Sequence, residues 1–324
     1  MSKFRSYSGD EFFDKKFNKR QWLIENLIRE KDSILFVGDD KAGKSLFIFQ
    51  LICSLTSQHP LLDRYEVSKE CKVSYIQLEG ELEDSRTRFD RMAKVLDINK
   101  KLLHIKYSEP LQLQIPNSCQ YLIDEIRLYH NPDVVIFDPI YFAFTGSLSE
   151  DASVRRFLGN IRRMKQEFDC VIILVHHTHK PKHDNFGNII AERDEALFGS
   201  KFLKAWADST IVLTWNKKSL IRTLYCDTQR SGDISKEMIL KLNQPDPLYF
   251  EWVDEEPTHE ASLIEYMIGV DSNSGLEIEQ LCKALKLSSR TIYRTLKRPL
   301  AEGLIERLGT KPQLYKYTKK SVPK

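Results

Sequence analysis

The sequence predicts an α/β fold, a mostly parallel sheet sandwiched by helices, followed by a small C-terminal domain. Three observations carry that expectation. Short, fully apolar runs alternate with segments long enough for crossover helices, and strands that are apolar on both faces belong to parallel sheets buried on both sides. One such run, Ser33–Val37, leads into a glycine-containing loop and then into helical spacing. Charge is also uneven: Lys283–Lys324 holds twelve Lys/Arg against two acids, Glu302 and Glu306, which leaves the remainder of a +3 chain acidic.

A length of 324 residues suits one large domain plus a small one. Hydrophobic content of 41% supports a real core, and charged content of 29% argues for a soluble chain. No run approaches the roughly eighteen apolar residues of a membrane span, so no membrane partner is expected. The opening stretch MSKFRSYSGDEFFDKKFNKRQW lacks the apolar centre of a secretory signal. Six cysteines lie far apart with no C-x-x-C pair, which reads as reduced thiols in a cytoplasmic protein.

Residues 1–20 are polar and aromatic without a clear period, as in an arm that packs on a neighbour. Trp22, Leu23, Leu27 and Ile28 fit one helical face. Ser33–Val37 reads as the first strand, and Leu46, Phe49, Ile52 and Leu55 as the buried stripe of the next helix. Val73–Leu78, Val134–Phe137, Val171–Val175 and Ile211–Trp215 read as further strands. Arg155, Arg156, Arg162, Arg163 and Lys165 decorate one crossover helix. After the turn "NKKS", Leu220–Cys226 reads as a strand returning antiparallel. Asn243–Glu260 carries three prolines and an acidic cluster, so the domain boundary falls there. The expected division is an arm (1–20), a large α/β domain (21–250), a linker (251–259) and a small domain (260–324).

Gly38-x-x-x-x-Gly43-Lys44-Ser45 matches the Walker A pattern in its proper context, after an apolar strand and before a helix. Backbone N–H groups of Gly38, Asp39, Asp40, Lys41, Ala42 and Gly43 can turn inward around phosphates, and the helix N-terminus adds its positive end. Lys44 suits the β- and γ-phosphates of ATP, and the Ser45 hydroxyl suits Mg²⁺. A second magnesium partner is Asp138, which ends the apolar strand of "DVVIFDP" in the Walker B manner. Pro139 follows it, so the water-activating base must come from elsewhere. Glu79, at the C-terminal end of the second strand in "SYIQLEGELED", is the best placed, with Glu81 and Glu83 as rivals.

With these residues the chain resembles the RecA-like ATPases, and most closely the RepA-type branch of plasmid and phage hexameric helicases. The resemblance spans about Gln21–Leu242 and rests on an ordered set: "QWLIENLI", the Walker A loop, "YIQLEGE", "VVIFDP", "VIILVHHTHK" and "FGSKFLKAWADSTIVL". It implies a RecA-like sheet, Glu79 as the catalytic glutamate and His177 as the γ-phosphate sensor at the end of its strand. It also implies that Lys180–Lys201 lines a pore around single-stranded DNA, where Lys180, Lys182, Arg193 and Lys201 meet phosphates. Asp184, Glu192, Asp194 and Glu195 offset much of that charge. Arg230 in "CDTQRSGD" corresponds to an arginine that reaches the neighbouring subunit's γ-phosphate. The lysine that pairs with it in the family is Thr228 here. The implied assembly is a homo-oligomeric ring of about six.

The C-terminal segment resembles a winged helix-turn-helix. Ile278, Leu281 and Leu285 mark a short helix, "KLSS" a turn, Ser288 or Ser289 a cap, and Ile292 and Leu296 the inner face of a second helix. Arg290, Thr291, Arg294 and Lys297 are then left for duplex DNA. Pro299 is expected to end or kink that helix. The resulting reading is a nucleic-acid-dependent ATPase, a DNA helicase or translocase. The alternative is an ATP-regulated DNA-binding adaptor that does not translocate. A small-molecule kinase fits less well, because it leaves the C-terminal module unexplained.

Overall fold

The computed structural model describes residues 6–16, 18–107, 111–143, 145, 150–177, 201–215, 221–230, 237–253, 259–270, 275–309 and 313–318. In chain order the large domain contains α1 (Gly9–Asp14), β1 (Trp22–Ile24), β2 (Ile28–Arg29), β3 (Ser33–Gly38), α2 (Lys44–Ser57), β4 (Val73–Gln77), α3 (Leu82–Met92) and β5 (Leu103–Tyr107). It continues with α4 (Pro116–Tyr129), β6 (Val134–Asp138), α5 (Asp151–Phe168), β7 (Val171–His177), α6 (Lys201–Trp206), β8 (Ser209–Trp215), β9 (Ile221–Gln229), β10 (Met238–Asn243) and β11 (Tyr249–Val253).

Among the described residues, nine strands form one sheet in the order β11-β10-β9-β8-β3-β7-β6-β4-β5. The six from β8 to β5 run parallel, and β9–β11 add an antiparallel meander at one side. Strand periodicity sorts the core into two layers. Ile34 and Phe36 of β3 and Val171, Ile173 and Val175 of β7 face α2 and α3. Leu35, Val37, Ile172 and Leu174 face α4, α5 and α6. Both faces are covered, which is why these strands are apolar throughout.

Three features differ from the sequence expectation. Trp22–Ile28 is not helical. β1 and β2 pair antiparallel across a turn in which Asn26 takes φ 57°. Leu23, Ile24, Leu27 and Ile28 are all buried from that hairpin, whose apolar spacing happens to coincide with a helical one. β5, β10 and β11 lack apolar runs because they lie at or near the sheet's two edges, where one face or side is open and residues alternate; β5 reads Leu-His-Ile-Lys-Tyr. The sheet also continues through Val253, beyond the expected limit at residue 250.

The C-terminal unit holds α7 (His259–Val270), β12 (Leu276–Glu277), α8 (Ile278–Leu285), α9 (Ser289–Ala301), β13 (Ile305–Leu308) and β14 (Leu314–Tyr317), with strand order β12-β14-β13. Its own core includes Leu281, Leu285, Ile292, Leu296 and Tyr315. Ser288 caps α9, its Oγ accepting from Thr291 N at 3.2 Å. Pro299 does not end α9 but lies inside it, two residues before Ala301. It is buried near the last turn, where only its own N–H bond is forfeited. Among the described residues no helix is long and apolar enough to cross a membrane.

Candidate functional site

The loop between β3 and α2 is shaped by close approaches that only glycine permits. A Cβ on Gly38 would lie 2.4 Å from the carbonyl oxygen of Leu213 on β8. Gly43 takes φ +97°, and its Cβ would lie 2.9 Å from Cζ of Phe250 on β11. Asp39 N donates to Leu213 O (3.2 Å), and Ala42 N donates to Asp39 O (3.2 Å). The Asp39 carboxylate accepts from Trp215 N at 3.1 Å. Asp40 and Lys41 are exposed at the loop tip, whereas Ala42 is buried and its carbonyl accepts from Arg222 Nε at 3.3 Å.

Lys44 folds back into this loop, and its Nζ donates to Gly38 O (2.9 Å) and Asp39 O (2.8 Å). Burial pushes the lysine below its usual range, while Asp138, Asp40, Asp39 and Glu79 oppose that shift. Asp138 ends β6 beside it, and Oδ2 accepts from the Tyr75 hydroxyl at 3.0 Å. Burial raises the Asp138 carboxyl, and hydrogen bonds from Ser45 and Tyr75 pull the other way. The same burial, with Asp138 alongside, holds the Tyr75 phenol well above its usual value.

Glu79 follows β4 at the same sheet edge, with its carbonyl accepting from Gln77 Nε2 at 3.0 Å. His177 ends β7, and its Nε2 lies 3.7 Å from Glu79 Oε2. Burial and the neighbouring Lys44 lower the His177 pKa, and Glu79 works against them. Lys41, Gly43, Lys44, Ser45, Glu79, Asp138 and His177 line one pocket of about 400 Å³. Glu81 and Glu83 do not line it: Glu81 stands just before α3 and Glu83 sits in that helix's first turn.

The other predicted residues lie elsewhere. Arg230 sits at the opposite edge of the sheet, where it donates to Ala205 O (2.5 Å) and pairs with Asp208 (3.5 Å). Lys201 is exposed at the start of α6. Lys180, Lys182 and Arg193 fall outside the described residues. Arg290, Arg294 and Lys297 are exposed on α9, spaced one and then about one further turn apart, with Thr291 half-buried at its start.

Pocket residues that the sequence reading missed include Tyr75, Ser85 and Arg88. A tyrosine inside a fully buried strand carries a weak signal, since its hydroxyl needs a partner. Arg222 and Phe250 left none, because they reach the loop only through the meander.

The sequence matches the AAA domain family model over residues 2–183, more than half of the chain. The chain belongs to that family. No curated protein matches it. It is similar to the crystal structure of the RadB recombinase, at 14% identity and TM-score 0.49, over 69% of this chain and 92% of that one. It is also similar to a KaiC-like protein from Pyrococcus horikoshii OT3, at 16% identity and TM-score 0.49, over 72% and 99%. This AAA domain member is a P-loop ATPase whose mostly parallel sheet is covered by helices on both faces. Its loop backbone, the buried Lys44 ammonium and the Ser45–Asp138 oxygen pair suit a nucleotide's phosphate chain with a hard divalent cation.

Proposed function

We propose that the protein is an oligomeric, nucleic-acid-dependent ATPase, a DNA helicase or translocase of a plasmid, phage or other mobile element. The observation that carries this reading is the convergence of Lys44, Ser45, Asp138, Glu79 and His177 on one pocket. ATP would be held by residues 38–45, and Mg²⁺ by Ser45 and Asp138. The ion supplies charge neutralisation on the phosphate oxygens. Glu79 is the base that orients the attacking water, since it reaches the pocket while Glu81 and Glu83 do not. His177, 3.7 Å from Glu79, is placed to exchange hydrogen bonds with base and phosphate.

Arg230 is far from its own chain's pocket, so a role as arginine finger requires a neighbouring subunit in a ring of about six. Single-stranded DNA would meet Lys180, Lys182 and Lys201. Duplex DNA would meet Arg290, Thr291, Arg294 and Lys297 on the second helix of a winged helix-turn-helix built from residues 260–324. The exposed basic row on α9 supports that assignment. The cell compartment that fits is the cytoplasm.

A second reading is an ATP-regulated DNA-binding adaptor that does not translocate. Thr228 favours it: this residue replaces the lysine of the finger pair, and its hydroxyl donates to Thr210 Oγ1 at 3.0 Å. One experiment separates the two. ATP hydrolysis is measured without nucleic acid, with single-stranded DNA and with duplex, for wild type, Lys44→Ala, Glu79→Gln and Arg230→Ala, alongside solution mass. The motor predicts single-strand stimulation, lost in all three variants, from a ring-sized species. Unstimulated hydrolysis by a monomer or dimer that still binds duplex in Glu79→Gln rejects the motor in favour of the adaptor.

A further inference from the structure

We infer that Trp215 couples the C-terminal unit to the phosphate loop, so that the turn between α8 and α9 senses nucleotide and nucleotide senses that turn. Trp215 is the last residue of β8, and its backbone N–H donates to the Asp39 carboxylate inside the loop at 3.1 Å. Its register partner on β9 is Arg222. The Arg222 guanidinium carbon lies 4.7 Å from the Trp215 ring centroid, and Arg222 Nε donates to the loop carbonyl of Ala42 at 3.3 Å. Arg222 is only 4% exposed, so this arrangement is locked into the core. The Trp215 backbone N–H and the Arg222 guanidinium thus grip the loop at the Asp39 carboxylate and the Ala42 carbonyl.

The same indole also receives a cation from the other unit. Lys286 Nζ lies 5.1 Å from the Trp215 ring centroid. Lys286 terminates α8 with φ 54° in the turn that precedes the Ser288 cap of α9. Its backbone therefore helps set the direction in which α9 presents Arg290, Arg294 and Lys297. A second contact between the units, the ion pair of Lys241 on β10 with Glu265 on α7, keeps them adjacent. Any loop rearrangement on filling with phosphate shifts Asp39 and Ala42, then Trp215 and Arg222. The cation–ring contact depends on distance, so Lys286 feels it. By linkage, a ligand that repositions the turn changes nucleotide affinity by the reciprocal factor.

The inference rests on nucleotide binding at the phosphate loop and requires neither helicase activity nor DNA binding. The test uses the full chain with its four tryptophans replaced by 5-fluorotryptophan. The Trp215 fluorine resonance is assigned with Trp215→Phe. Magnesium with a non-hydrolysable ATP analogue is the probe, and its binding is followed separately by competition with a fluorescent nucleotide. Nucleotide should move the Trp215 resonance. Lys286→Ala should move it without nucleotide and change nucleotide affinity about two- to fivefold, the factor expected for one exposed cation–ring contact. Lys286→Arg should restore both wild-type values. A Trp215 resonance that ignores saturating nucleotide, or is the same in Lys286→Ala, overturns the coupling alone. Failure of the analogue to bind at all overturns the ATPase reading with it.

Discussion

Replacing Gly38 by alanine tests how tightly the phosphate loop is built into the sheet. The new Cβ would lie 2.4 Å from Leu213 O and 3.2 Å from Lys44 Cγ. An ordinary contact begins near 3.4 Å, so β3 and β8 must part by about 1 Å at their paired ends, and neither atom group is a flexible tip. Overpacking of this kind costs about 1–3 kcal/mol. The parting also strains the Asp39 N–Leu213 O hydrogen bond, worth about 0.5–1.5 kcal/mol. Gly38→Ala should therefore lose about 2–4 kcal/mol, or about 4–16 °C in Tm for a domain of this size. It should also weaken nucleotide binding, because Lys44 is crowded. Gly159 supplies the contrasting case. It is an interior residue of α5, and a Cβ there meets nothing within 4 Å. Gly159→Ala should gain about 0.5–1 kcal/mol from helix propensity. Urea and thermal unfolding followed by circular dichroism, with nucleotide titration, measure both variants. A Gly38→Ala protein within about 0.5 kcal/mol of wild type would refute the claim that the loop's geometry is dictated by β8.

Four further outcomes follow from the site and the core. Glu79→Gln should lower hydrolysis by about 10²–10⁴-fold while leaving nucleotide affinity nearly unchanged; an equal loss of affinity would show a binding role instead. Tyr75→Phe removes a hydrogen bond to a buried carboxylate and should cost about 1.5–3 kcal/mol in urea unfolding at neutral pH; no change would mean that Asp138 does not depend on it. His177 has a folded-state pKa below its ordinary 6.5. Its contribution is therefore intact above that value and lost as pH falls through the folded pKa. Wild type should accordingly lose more stability than His177→Gln on acidification, and parallel curves would contradict this sign. Burial pushes the thiols of Cys53, Cys71 and Cys170 up to about 12, and those of Cys119 and Cys226 to about 11. At pH 8 iodoacetamide should add rapidly once, at the half-buried Cys282, as read by mass spectrometry; a second fast adduct would show an open core.

What was legible in the sequence tracks how local each cause is. The Walker A loop could be read because glycine, lysine and serine positions, flanking strand and following helix are contiguous. Asp138 and Glu79 could be read because a carboxylate at the end of an apolar strand is unusual, and parallel strands bring such ends to one edge. The edge strand Leu103–Tyr107 was invisible because it is half-exposed and mixes His and Lys with apolar residues. Trp22–Ile28 misled because Leu23, Leu27 and Ile28, which the hairpin buries together with Ile24, also share a helical face. Arg222 was illegible for a different reason. A basic residue in a strand usually points to solvent, and only the fold shows it stacked on Trp215 and bound to Ala42 O.

The phosphate loop also owes its shape to residues far beyond the segment that matches the family. Gln50 on α2 donates to Phe250 O (2.9 Å) and accepts from Phe250 N (2.7 Å), satisfying the backbone of the last edge strand with one amide. That bond sets the Phe250 ring beside Phe47, 5.9 Å between centroids, and against Gly43. The groups that would touch phosphate or magnesium, Lys44, Ser45, Glu79, Asp138 and His177, all fall within residues 2–183. The groups that hold the loop in position, Leu213, Trp215, Arg222 and Phe250, all fall after it. Chemistry and support are therefore separated along the chain and rejoined only by the sheet. A fragment ending at residue 183 would keep every side chain that lines the pocket and lose the strand that forces Gly38 to be glycine.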